Sequence, residues 1–434
     1  MIARFLERRF LGDPDAQLRP EHQERIAVIA RAWDYYEGRH PPPLAPRRGQ
    51  PDDNVIVNLA RPIVDKGVSL LVGKPVTFQV DETAAPDTAV ERDLRAVWQA
   101  NDQEVVLHDL ALNGAIAGAA ILKIAPQPAG PPRLIVLDPA MVDVYSAPGD
   151  IASIWRYRIL YDLDAETEAR QDIERREGGW VIRDYERRNQ AAWRLIAETV
   201  WPYQHPPIAM CKNLPRPNSV WGYGDLDDMR LNDALNFVLS ATRKILRLHA
   251  HPRTWGRGFT ARQLESWGPG DLWTVPNPEA SIQNLEMQSD LASSHQFALT
   301  LRQALFTQFR MPDLSQVGNL GALTNFGLRV LFADALERTA TKRMLYGGLI
   351  RQVNRALAEL AGYGPAVETT IHWSDPLPVN ELEQIQVAQA KRALGLLSDE
   401  TIVAELGYDY QMEQQRRQAT LSASPGITEE LINE

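Results

Sequence analysis

Residues 63–78 read IVDKGVSLLVGKPVTF, and their Gly67, Gly73 and Lys74 invite comparison with a phosphate-cradling loop. The spacing rejects it. A P-loop has four residues between its glycines, then Lys, then a Ser or Thr that reaches the metal. Here five residues, Val68–Val72, separate the glycines, and Pro75 follows the lysine. Proline has neither a hydroxyl for a metal nor an N–H for a phosphate. The same letters make sense as a helix stop. Leu59, Ile63, Val64, Val68 and Leu71 recur at helical spacing, with Gly73 as the cap and Pro75 just beyond. VTFQV then alternates as a strand, so the Gly-Lys-Pro marks a helix-to-strand junction.

Working outward, residues 20–37 form a helix of mixed charge, with Ile26, Ile29, Ala30 and Trp33 on one stripe, that stops at Gly38. The Pro- and Arg-rich HPPPLAPRRGQPDDN separates it from a second helix that takes in VIVN, residues 55–58. Helices are expected at 89–101 and 104–118. AILKIAP and PRLIVLDP read as a hairpin, and ASIWRYRILY, GWVIRDYERR and AAWRLIAETV as further strands. The first 210 residues are therefore mixed, and the rest is helical. Asp225–Ala250 reads as one long helix after a flexible GYG. Asp225, Asp227 and Asp228 lie in its first turn and Arg243, Lys244 and Arg247 in its last turns, matching the helix dipole. Another helix is expected at 289–310, with Leu291, Ala298, Leu301 and Leu305 on one face. A third, continuous over 325–361, would exceed about 50 Å at ~1.5 Å per residue. The fold class is α+β, predominantly helical.

Hydrophobic residues make up 44% of the 434 and charged residues 24%, the composition of a folded soluble chain. The start, MIARFLERRFLGDPD, lacks the apolar core expected of a signal peptide. The most apolar run, LALNGAIAGAAIL at 110–122, is too short and, with Asn113, too polar to span a bilayer. Its Gly114 and Gly118 are read as close packing of small residues. The net charge is −10, and residues 363–434 carry 12 acidic against 4 basic side chains. A chain this acidic does not grip nucleic acid over its whole surface.

Catalytic signatures are missing. There is no G-x-S-x-G and no H-E-x-x-H, and the lone Cys211 has no nucleophile context. Asp225-x-Asp227-Asp228 lacks the glycine and the closing Glu of a calcium loop, and reads as helix capping. His249 and His251 have no further ligands nearby for a metal. The chain is expected to be neither an enzyme nor a holder of a cofactor.

Several segments, in one order, resemble the portal proteins of tailed bacteriophages, in the group like that of the Bacillus phage SPP1. They are YYEGRH at 35–40 with the following NVIVNLARPIVDKGVSLLVGKPVTF, the pair GAAILKI and LIVLDPAMVDVYS, and PIAMCKNLPRPNSVWGYGDLDDMRLNDALNFVLSATRKI. GNLGALTNFGLRVLFADALERTATKRMLYGGLIRQV and IHWSDPLPVNELEQIQVAQAKRALGLLSDETIVAELGY complete the set. Members often have Ser-Gly before the Ala-Leu of the channel loop, where this chain has Leu320-Gly321. Residues 251–287 match by position alone.

The resemblance implies a wing at 1–224, a first stem helix at 225–250, a clip at 251–287 and a second stem helix at 288–310. A tunnel loop at 311–324, a long wing helix at 325–362 and a crown with C-terminal tail at 363–434 follow. It implies a ring of about 12 or 13 copies at one capsid vertex, in the virion after assembly in the host cytoplasm. Double-stranded DNA passes through the ring. The partners implied are the terminase large subunit, a head–tail adaptor, and the major capsid and scaffold proteins, with no membrane. The tunnel loop residues Gln316, Val317, Gly318, Asn319, Leu320, Gly321 and Leu323 would face the channel. That loop has no Lys or Arg, and a surface that DNA must slide past cannot bind phosphates strongly. Arg243, Lys244 and Arg247 would form basic belts in a ring, or simply complement a helix end. The competing reading is another helix-rich head or baseplate protein without a DNA channel.

Overall fold

The computed structural model describes residues 20–45, 51–80, 88–189, 191–250, 253–257, 279, 281–285, 291–316, 324–377, 381–395, 398 and 414. Their packing divides the chain into two compact units. One comprises Met1–Leu314 and Asp334–Pro376, the other Ser315–Ala333 and Leu377–Glu434.

The larger unit begins with α1 (Pro20–Tyr36) and α2 (Ala60–Val72), the latter preceded by an extended segment over residues 53–58. Gly73 ends α2 as expected, its N–H bonding Ser69 O at 2.9 Å. Its φ of −72° is right-handed, so the glycine is needed for clearance: a Cβ there would lie 2.4 Å from Ser69 O. Strand β1 (Val76–Val80) follows, with Val76 and Phe78 buried in alternation. Then come α3 (Ala89–Ala100), capped by the Thr88 side chain on Glu91 N–H, and α4 (Gln103–Ala117). β2 (Ala119–Ala125) and β3 (Arg133–Leu137) form the expected hairpin. β4 (Val142–Ala147), β5 (Asp150–Asp162), β6 (Thr167–Arg176), β7 (Gly179–Arg188) and β8 (Arg194–Trp201) make a five-stranded antiparallel meander in that order. β9 (Ile208–Lys212) returns to pair with β2. The helical half has α5 (Arg230–Ala250), a strand pair of β10 (Arg253–Arg257) with β11 (Ser281–Leu285), and α6 (Leu291–Gln308). After α7 (Asn325–Leu331), α8 (Ala333–Leu360) leads to β12 (Thr369–Trp373), which pairs with β1 from Val76↔Trp373 to Val80↔Thr369. The smaller unit holds α7 and α9 (Glu381–Ala393) among its described residues.

The β3–β2–β9 sheet separates two cores because side chains alternate across a strand. Ala120, Leu122, Ile124 and Ala209 face the main core, with Trp98, Leu110 and Ile350. Ile121, Ile208 and Met210 face a second core, closed by Val142, Ile173 and Trp180 of the meander. The meander's other face carries charge: Arg156, Arg158 and Arg170 converge on Asp172, which is 2% exposed.

Several expectations are corrected. Residues 55–58 are extended rather than helical, because their backbone is hydrogen-bonded by α5 side chains. α5 starts at Arg230, so Asp225 and Asp227 lie in the loop before it and do not cap it. The GYG is tightly packed: a Cβ at Gly222 would sit 2.5 Å from Leu214 O, and one at Gly224 2.9 Å from Ile116 O. The helix expected over 325–361 is broken at Phe332, whose N–H turns back to Leu328 O and Val330 O. The break falls at the boundary between the units. Strands β4, β6, β9, β10, β11 and β12 had no expectation; β6, TEARQDIERR, is so charged that its strand character comes from cross-strand ion pairs.

Candidate functional site

The most unusual chemistry lies where the helical half joins the sheets. Asp225 is 3% exposed, in the loop between β9 and α5. Its Oδ2 accepts from Lys342 Nζ at 2.6 Å; its Oδ1 accepts from Arg338 at 2.9 Å and Asn213 Nδ2 at 2.9 Å. A charge buried this deeply survives only if paired and fully hydrogen-bonded. Burial pushes the Asp225 carboxyl upward, but Lys342 and Arg338 outweigh it and hold it below the usual carboxylate range. Burial pulls the Lys342 ammonium below its usual range in spite of Asp225. Tyr346, one turn further along α8, donates to Asn213 Oδ1 at 3.3 Å. Arg338 also donates to Phe309 O at 2.8 Å, just past the end of α6. Gly67 of the opening stretch passes alongside, its Cβ position 3.4 Å from Asp225 Oδ2. One carboxylate therefore ties together α2, α8, the β9 loop, the root of α5 and the end of α6.

From this centre α5 and α6 run antiparallel. Gln308, ending α6, donates to Asp228 O at 3.1 Å beside the start of α5, and β10 and β11 pair at the opposite end. One face of α5 carries an extended strap. Asn232 accepts from Leu59 N–H at 3.2 Å and donates to Val57 O at 3.1 Å. Asn236 accepts from Val57 N–H at 2.9 Å, and Ser240 accepts from Val55 N–H at 2.9 Å. The match is geometric: four helical residues rise about 6.0 Å, and two extended residues about 6.6 Å. Alternate strap residues thus meet every fourth helical residue. The strap ends on the basic turns. Arg243 donates to Asn54 O at 3.0 Å, and Arg247 grips Asp53 with two bonds of 2.7 and 2.6 Å.

The YYEGRH segment packs at the other end of the strap. Tyr35 donates to Asp233 of α5 at 2.6 Å, and the wholly buried His40 ring stands edge-on to Tyr35 at 5.1 Å. His40 Nδ1 lies 3.9 Å from Asp233 Oδ1.

Of the residues singled out in the sequence, Arg243, Lys244 and Arg247 do share the last turns of α5. Arg243 and Arg247 are engaged by the strap, and Lys244 has no hydrogen-bond or ion-pair partner among the described residues. The backbone of Gln316 lies in a short 3-10 turn, Leu314–Gln316. Val317, Gly318, Asn319, Leu320, Gly321 and Leu323 lie outside the described residues, as do His251 and the His249 side chain. Asp228 retains a capping role, accepting from Arg230 N–H; Arg230 draws its carboxyl down to about 2. Asp227 accepts from Gly224 N–H instead. Cys211 sits on β9, where burial raises its thiol above the usual range. Among the described residues no three His, Cys, Asp or Glu side chains gather to hold a metal, and no helix is long and apolar enough to cross a membrane. Sequence reasoning missed Asn213, Arg338, Lys342, Asn232, Asn236 and Ser240. The last three were signalled by small polar residues recurring at every fourth position along one stripe of α5.

No curated protein matches the chain. Similar solved structures include a chain of the neck of a native GTA particle computed with C12 symmetry. It is 17% identical, with 80% of this chain and 89% of that one covered and a TM-score of 0.48. A chain from the virion of a native gene transfer agent particle is also 17% identical, with 88% and 98% covered and a TM-score of 0.49. The family described as phage portal protein, SPP1 Gp6-like, matches residues 15–174 and 207–420, most of the length. The chain belongs to that family.

Proposed function

We propose that this portal protein assembles into a ring at one capsid vertex, through which double-stranded DNA is packaged and ejected. Terminase and then a head–tail adaptor dock on the ring. The observation that carries the reading is the antiparallel α5–α6 pair, rooted at one end in the Asp225 centre and joined at the other through β10 and β11. In this reading the pair is the stem that lines the channel, and 251–287 is the clip that meets the motor. Residues 1–224 with α8 are the wing. The 311–324 segment, which has no Lys or Arg, is the tunnel loop, and the acidic 363–434 region is the crown. Arg243, Lys244 and Arg247 lie near the clip, where a ring stacks them into a basic belt.

Native mass spectrometry with electron microscopy of the purified protein tests the ring. Rings of about a dozen copies with an axial opening are expected. A closed compact oligomer without a channel overturns the proposal.

A further inference from the structure

The basic end of α5 is already occupied by the chain itself. Arg247 presents the planar fork that suits either a carboxylate or a phosphate, and it holds Asp53 through two bonds of 2.7 and 2.6 Å. Arg243 holds the neighbouring carbonyl of Asn54 at 3.0 Å. The Arg247 side chain is 33% exposed, so solvent and solutes reach it, whereas Asp53 is 7% exposed behind it. Lys244 lies between the two arginines in sequence and adds to the positive field at Asp53. Beyond Asp53 the strap is fastened by neutral, buried rungs at Ser240, Asn236 and Asn232, which no anion can displace. The two arginine rungs are therefore the ones open to an outside anion, and in the Arg247–Asp53 pair a carboxylate already holds the place that anion would take.

We infer that Asp53 is an intramolecular stand-in for a DNA phosphate, so that Arg247 exchanges between its own strap and a passing duplex. This rests on the reading that α5 lines a DNA channel. A free arginine belt would bind each phosphate it met and resist sliding, since every neutralised phosphate adds to affinity. A belt that recaptures its own carboxylate after each contact releases the backbone instead. The tethered strap keeps Asp53 at high local concentration, as any linked competitor is.

The test measures binding of a short DNA duplex to full-length protein, across salt, for wild type, Asp53→Asn, Asp53→Glu and Arg243→Gln/Lys244→Gln/Arg247→Gln. Asp53→Asn should bind more tightly. Its affinity should fall more steeply between 50 and 200 mM salt, by about 3.5-fold for each added phosphate contact. Asp53→Glu should restore wild-type behaviour, and Asp53→Asn/Arg247→Gln should lose the gain. Wild-type affinity and salt slope in Asp53→Asn, with the triple variant weakened, overturn the exchange and leave the channel reading standing. A triple variant that binds like wild type overturns the exchange and the basic belt together, and leaves the ring to its own test. Hydrogen exchange on wild-type protein decides the matter if Asp53→Asn does not assemble. Added duplex should speed exchange at residues 52–54 and leave Val55 and Val57 unchanged. No change at 52–54 overturns the inference.

Discussion

A Cβ atom at Gly114 would lie 1.8 Å from the phenol oxygen of Tyr346, and the next contact, the ring carbon, is 3.1 Å away. Gly114→Ala should therefore cost about 1–3 kcal/mol, the usual range for overpacking a core. Tyr346→Phe removes the clashing oxygen, so the double variant should recover part of the loss. A denaturation cycle on the four proteins checks this, and strict additivity would show that the two sites do not touch. Gly67 makes the contrast. Its Cβ position is in ordinary contact with Asp225, so Gly67→Ala should be neutral, or should stabilise α2 by about 0.5–1 kcal/mol. At Asp225 the direction follows from the lowered carboxyl. Its stabilisation is fully present above the ordinary carboxylate range and is lost as pH falls through the lower folded value. Asp225→Asn leaves two cations facing a neutral amide and should cost about 3–5 kcal/mol near neutral pH, with a flatter acid limb in melts against pH. The tight packing of Gly114 could be read in its letters. The Asp225 centre could not, because Asn213, Arg338 and Lys342 come from distant segments. Asp225 beside Asp227 and Asp228 resembles any helix start.

Among the elements, α5 and its strap show what periodicity detects and what it misses. The helical spacing around Val64, Val68 and Leu71 located α2, and alternation located β1. VIVN is equally apolar, and it was absorbed into the helix that follows. Its extended form depends on hydrogen bonds from residues more than 170 positions away, and no local pattern encodes those. The charged β6 was missed for a related reason. Its strand character comes from arginines on neighbouring strands rather than from apolar alternation. If the ladder holds the strap, Asn236→Ala strands the Val57 N–H and should cost about 1–3 kcal/mol. Val57 exchange should rise well above that of Val55, which keeps Ser240. Equal exchange at the two amides would show that the rungs act independently of α5.

At the scale of the whole molecule, the order of segments was legible and their partners were not. Hairpins and helix caps are local, whereas β12 on β1 and Glu359 on the β8–β9 turn join remote parts of the chain. Glu359 accepts from Gln204 N–H at 2.7 Å and His205 N–H at 3.0 Å, and from the His205 ring. Burial works against its charge, yet those donors hold the carboxyl below its usual range. Its contribution is thus present above the ordinary carboxylate range and disappears as pH falls. Glu359→Gln should destabilise the protein at neutral pH and converge with wild type in acid; parallel curves would rule that out. The β1–β12 pairing also sets a timetable for synthesis. β1 leaves the ribosome long before its mate, with Val76 paired to Trp373. At about 5–20 residues per second the wait is roughly 15–60 s. During that time β1 offers an unpaired edge beside a core that Ile350 and Val353 have yet to close. Nascent chains shorter than Thr369 should therefore recruit chaperones, and a polysome crowded with them is the setting in which this protein is most exposed to aggregation.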